Sequence, residues 1–94
     1  MRVRLKLHRL PEYVRAIAWG FASFADGLEA CRQILQHGAT PAALRLYDNL
    51  ESGVQFSLPE TNVLLIADEG EKELVDAVLA ISARVCEQCQ GQPL

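Results

Sequence analysis

Ninety-four residues, half of them apolar and 22% charged, make one ordinary globular domain and no more. The net charge of -3 gives no electrostatic basis for nucleic-acid binding, which needs a basic face. No apolar run approaches the roughly 18 residues of a membrane span, no signal-peptide apolar region opens the chain, and three cysteines form no secreted framework, so a reducing cytoplasm is expected.

Charge is unevenly spread. Arg2, Arg4, Lys6, His8, Arg9 and Arg15 crowd the start, and Asp68, Glu69, Glu71, Glu73 and Asp76 cluster later. The early cations alternate with Val3, Leu5 and Leu7, which is a strand signature rather than a basic arm. Pro11 lacks the N–H of a ladder and ends this first strand. Tyr13 to Phe21, YVRAIAWGF, reads as a second strand, rich in aromatic and β-branched residues.

Ser23 stands at an N-cap position with Asp26 three residues on, a shorter-armed capping box. The following helix is expected over Phe24 to Gln36, with Phe24, Leu28, Cys31, Ile34 and Leu35 as its buried stripe. His37-Gly38 stops it and Pro41 prevents a restart. Ala43 to Asp48 is a third strand, and Asn49 to Pro59 a connection with room for a short strand over Val54 to Leu58. Asn62 to Asp68, NVLLIAD, is the apolar run of a central strand. Asp68-Glu69-Gly70-Glu71 places negative charge at the start of the last helix, which runs to about Cys89. Its apolar stripe is Leu74, Val78, Ile81 and Val85, with Val75, Leu79 and Cys86 alongside, and Gly91 and Pro93 terminate it.

The order is β-β-α-β-loop-β-α. Without its first strand it is a ferredoxin-like βαββαβ unit lacking the last strand. The expected fold class is α+β, an antiparallel sheet with two helices on one face.

Motifs of self-contained catalysis are missing. Neither GxGxxG nor GxxxxGK[ST] occurs, and no nucleophile has a base at readable spacing. Cys86-Glu-Gln-Cys89 falls at a helix C-terminus, where the dipole disfavours thiolate, unlike the N-terminal placement of redox pairs. Cys31, His8 and His37 supply no second ligand pair for zinc. No catalytic or metal-binding set is expected. Trp19, Phe21 and Tyr47 would share a face if the second and third strands paired. Arg45 points opposite to Leu44 and Leu46, on the side of Ala43 and Tyr47, and is not expected to pair with its sequence neighbour Asp48.

LKLHRLPE, SFADGLEACRQILQHGATPAALRLYD and NVLLIADEGEKELVDAVLAI, in this order, resemble the FAD-linked oxidases of the vanillyl-alcohol oxidase superfamily. The similarity is greatest to the C-terminal, substrate-side region of the alkyldihydroxyacetonephosphate synthase-like branch, and more distant to the D-lactate dehydrogenase and glycolate oxidase branches. The resemblance implies that residues 1–10 are the strand leaving a FAD-binding domain. It implies that residues 11–94 are part of a cap domain, β-α-β-β-α, that covers the substrate side of the flavin. FAD would bind to the FAD-binding domain of a longer parent, a flavin-dependent oxidoreductase acting on a small molecule, and this chain alone would hold no flavin and be inactive. The substrate-side candidates are Arg45 as an anion partner, Tyr47 as an apolar wall and Asp48 as a hydrogen-bond acceptor at the strand end. Open edges and an uncovered sheet face lead us to expect self-association. The alternative is a free-standing ferredoxin-like module that senses a small metabolite.

Overall fold

The computed structural model describes residues 13–58 and 60–94. The strand expected before Pro11, and with it the proposed exit from a preceding domain, lies outside the described residues. Within them the order is β1 (Val14–Phe21), α1 (Phe24–Gln36), β2 (Ala43–Tyr47), α2 (Asn49–Gln55), β3 (Asn62–Glu69), α3 (Lys72–Gln88) and β4 (Gln92–Pro93). The strands form one sheet in the order β2-β3-β1-β4, with every neighbouring pair antiparallel. The α+β, ferredoxin-like partial fold is therefore as expected. Its last strand is short rather than missing: Gln92 and Pro93 pair with Gly20 and Trp19.

The local signals explain most boundaries. Ser23 accepts a hydrogen bond from the Asp26 N–H at 3.4 Å and caps α1. At the other end Gly38 takes φ 84°, a left-handed conformation that glycine adopts without penalty. The segment after β2 is a helix, not a strand. Asp48 accepts from the Glu51 N–H at 2.8 Å and the Glu51 carboxylate accepts from the Asp48 N–H at 3.2 Å, a complete capping box. That box starts α2 before the Ser52-Gly53 pair can act as a turn.

Alternation divides the sheet into two faces. Trp19, Phe21, Leu64 and Ile66, with Leu44 and Leu46, face α1 and α3 and pack on Ala30, Ile34, Val75, Leu79, Val85 and Cys86 in one core. Each helix is rotated from its expected stripe. α1 buries Gly27, Ala30 and Ile34, whereas Phe24, Leu28 and Leu35 are 41%, 52% and 55% exposed. Small residues let its backbone approach the sheet: a Cβ on Gly27 would lie 2.8 Å from Leu46 Cδ1. α3 buries Val75, Leu79, Ser82, Val85 and Cys86, and leaves Leu74 exposed. Val78 and Ile81 are half-buried at the core margin.

Candidate functional site: the sheet face opposite α1 and α3

β2 and β1 do not pair, because β3 runs between them. Trp19 and Phe21 therefore do not share a face with Tyr47. Trp19 opposes Leu64 on the core side, whereas Tyr47 opposes Val63, which opposes Gly20, on the other side. Arg45 opposes Leu65, which opposes Ala18. Residues directly opposite in antiparallel strands point to the same side. Arg45, Tyr47, Leu65, Val63, Ala16 and Ala18 thus line the face turned away from α1 and α3.

This face is largely apolar, with Val63 buried in it, the exposed Arg45 on β2 and the exposed Glu69 opposite Val14 at its far end. The Arg45 guanidinium lies 5.6 Å from the centroid of the Tyr47 ring, within cation–π range. Tyr47 in turn meets Phe56 edge-on, with centroids 5.2 Å apart and planes at 85°. Among the described residues Arg45 makes no ion pair; the three ion pairs there are Arg15–Asp76, Arg32–Glu29 and Lys72–Asp76. Its charge is oriented by an aromatic ring and left available.

Asp48 has a local task as the N-cap of α2, a position that also sets where Phe56 meets Tyr47. Ser52 is the residue that sequence reasoning missed. It is fully buried, its Oγ accepts from the Val63 N–H at 3.2 Å, and its hydroxyl lies 3.4 Å from the Tyr47 carbonyl. The Phe56 and Leu58 N–H groups both donate to the Ser52 carbonyl, at 2.9 and 3.1 Å. One small polar residue thereby ties α2 to both strands that carry the open face. The capping box of Asp48 and Glu51, one residue upstream, is the signal from which this could have been read.

The remaining polar groups have structural explanations. Lys72 holds the Asp76 carboxyl below its ordinary range, with the Tyr13 hydroxyl and Arg15 adding to the effect. Arg32 and then Gln33 hold Glu29 down to about 2. Asp68 accepts from the Ala42 N–H at 3.1 Å and fixes the approach to β2. Burial pushes the Cys86 thiol up to about 12, with Cys31 and Cys89 adding to it. Burial also raises Cys31, and raises Cys89 with help from Glu29 and Asp26. The Cys86-Glu-Gln-Cys89 pair is thus buried and protonated.

Residues 10–93 match the family model described as FAD linked oxidases, C-terminal domain, and the chain belongs to that family. The fold is similar to that of alkyldihydroxyacetonephosphate synthase in two crystal structures. One has a TM-score of 0.83 at 20% identity, and the other 0.76 at 19% identity. In each case the match covers 92% of this chain and 20% of the other, so the chain spans about a fifth of the length of these proteins. No curated protein matches the sequence.

The described residues do not fit FAD by themselves. The glycines with positive φ, Gly38 and Gly70, stand apart at the end of α1 and after β3, not in a consecutive phosphate-cradling loop. No described helix is long and apolar enough to cross a membrane.

Proposed function

We propose that this chain is part of the substrate-side cap of a FAD-dependent oxidoreductase of the alkyldihydroxyacetonephosphate synthase-like kind. FAD would be held by a FAD-binding domain of the parent, with residues 1–10 leading out of it and residues 11–94 as part of the cap. The observation that supports this reading is the sheet face turned away from α1 and α3: largely apolar, continuous across three strands, and bearing an arginine that no described carboxylate pairs with. Such a face is suited to lie over a flat apolar ring system and to hold one negative group of a substrate at its margin.

In this arrangement Arg45 binds the anionic group of a small-molecule substrate, and the Tyr47 ring keeps the guanidinium in place while closing the apolar side. Asp48 acts through α2, by holding Phe56 against Tyr47. When FAD is bound to its own domain, it supplies the redox chemistry; this chain binds and orients substrate and excludes water.

Two measurements test the reading. The isolated chain, mixed with FAD and desalted, is expected to carry no flavin; stoichiometric retained flavin would refute the claim that the cofactor site lies elsewhere. In the flavoprotein containing this chain, Arg45→Ala is expected to lower kcat/KM with flavin content unchanged. Loss of a hydrogen bond to a charged group is about 1.5–3 kcal/mol, or roughly ten- to a hundredfold. An unchanged kcat/KM would remove Arg45 from the site.

A further inference from the structure

Burial along β1 falls off with distance from β4. Trp19 and Gly20 are buried where Pro93 and Gln92 oppose them, whereas Val14, Arg15 and Ala16 are exposed. The Leu94 N–H donates to the Ala18 carbonyl at 3.0 Å, and from there toward the start of β1 no described residue pairs with this edge. Backbone direction alternates along a strand. Tyr13 turns its carbonyl toward β3, accepting from the Gly70 N–H at 3.0 Å, so Val14 and Ala16 turn their N–H and C=O groups outward from the sheet.

A groove of about 550 Å³ follows the edge. Its helix-side wall is Ile17, Trp19, Leu79 and Ala83, and Asp76 is the one acid that lines it. Arg15 and Lys72 already share that carboxylate. The helix side therefore favours apolar side chains and has no partner left for a further cation. On the open side of the same edge the balance is reversed. There Glu69 opposes Val14 and forms no ion pair among the described residues.

We infer that residues 3–7 of this chain occupy the edge, as a hairpin folded back on β1 through residues 8–12. Twelve residues precede Tyr13, and in them Val3, Leu5 and Leu7 alternate with Arg4 and Lys6 ahead of Pro11. Hairpin loops commonly run two to about five residues. With Leu7 opposite Tyr13 the loop is 8–12, and Pro11 falls inside it, where no ladder N–H is needed. Leu5 then opposes Arg15 and Val3 opposes Ile17, so the pairing ends where Leu94 takes over at Ala18. Opposed residues share a side of the sheet, which turns Val3, Leu5 and Leu7 toward the apolar groove. Lys6 and Arg4 exchange backbone hydrogen bonds with Val14 and Ala16 and turn to the open side, where Lys6, Val14 and Glu69 fall on one line across three strands. A slip of one residue reverses both sides. It would set Lys6 opposite Arg15 and Arg4 opposite Ile17, against a groove with no free carboxylate. Docked in the favoured register, the segment extends the open face by two cations on the margin away from Arg45. The inference stands whether or not that face meets a flavin.

The test is NMR on the 94-residue chain and on its Arg4→Pro variant. Leu5 and Arg15 form a non-hydrogen-bonded pair, with Cα atoms about 4.5 Å apart, so a nuclear Overhauser contact between their Hα atoms is expected in the parent chain. Proline at position 4 removes the N–H that bonds to the Ala16 carbonyl. Amide exchange at Ala16 is expected to be at least about tenfold faster in the variant, with Ile66, inside the sheet, unchanged. Absence of the Leu5–Arg15 contact would overturn the inference, and so would a Lys6–Arg15 Hα contact in its place, which belongs to the slipped register. Equal exchange at Ala16 in the two chains would also overturn it, as would Ala16 protection that rises with protein concentration, which would give the edge to a second copy.

Discussion

Replacing Ser52 by alanine removes a single oxygen, and its consequences follow from the geometry. The Val63 N–H sits in a buried setting and donates to Ser52 Oγ at 3.2 Å. Alanine leaves that buried donor without its partner. The cost of an unsatisfied buried group is about 1–3 kcal/mol, and the volume lost adds little to it. Each kcal/mol shifts the melting temperature of a domain this size by roughly 4–8 °C. Ser52→Ala should therefore lower Tm by about 4–24 °C, and lower the urea midpoint with an unchanged slope. Val54→Ser, at an 84% exposed position of the same helix, is the control and should stay within about 0.5 kcal/mol of the parent. If Ser52→Ala matches that control, Ser52 does not hold α2 to the sheet, and the support assigned to the Tyr47–Phe56 corner fails.

Other consequences are independent of this one. Asp48→Ala removes the N-cap of a seven-residue helix and should destabilise by about 0.5–2 kcal/mol, with the loss of rigidity concentrated in amide exchange over Asn49–Gln55. The folded-state pKa of Asp76 is depressed, so its contribution is present above the ordinary aspartate range and is lost as pH falls through the lowered value. Asp76→Asn should flatten that acid limb of a stability-against-pH profile; an unchanged profile would show that Lys72, Tyr13 and Arg15 do not act on it. Cys86 should resist iodoacetamide at pH near 8 until the chain unfolds, and prompt native labelling would contradict its burial. The exposed Phe24, Leu28 and Leu35 on α1 and the apolar open face should drive association at high concentration, read by light scattering; a monomer throughout would show that neither surface is sticky.

Much of the fold was legible because each strong local signal agreed with its neighbours. NVLLIAD became the strand between β1 and β2, as an unbroken apolar run should. Ser23, His37 and Gly38 bounded α1 as their chemistry requires. What was hidden had physical causes. In α2 the capping box was masked by Ser52-Gly53, read as a turn although Ser52 is buried in tertiary hydrogen bonds. The stripe of α1 was misplaced because large apolar residues are not the ones that let a helix approach a sheet; Gly27 and Ala30 are. β4 is two residues long, one of them a proline, too short to leave a period. At the candidate site, alternation gave the side of Arg45 relative to Leu44 and Leu46. It did not give strand order, and strand order separates Tyr47 from Trp19 and Phe21.

The central claim is that the Arg45–Tyr47 face is covered in the proposed parent flavoprotein. Hydroxyl-radical footprinting compares it directly in the isolated chain and in that flavoprotein. The account predicts that Tyr47 and Leu65 are labelled in the isolated chain and protected in the flavoprotein, while Leu50, 79% exposed on α2, is labelled in the isolated chain as an internal reference. Equal labelling of Tyr47 and Leu65 in both would contradict it.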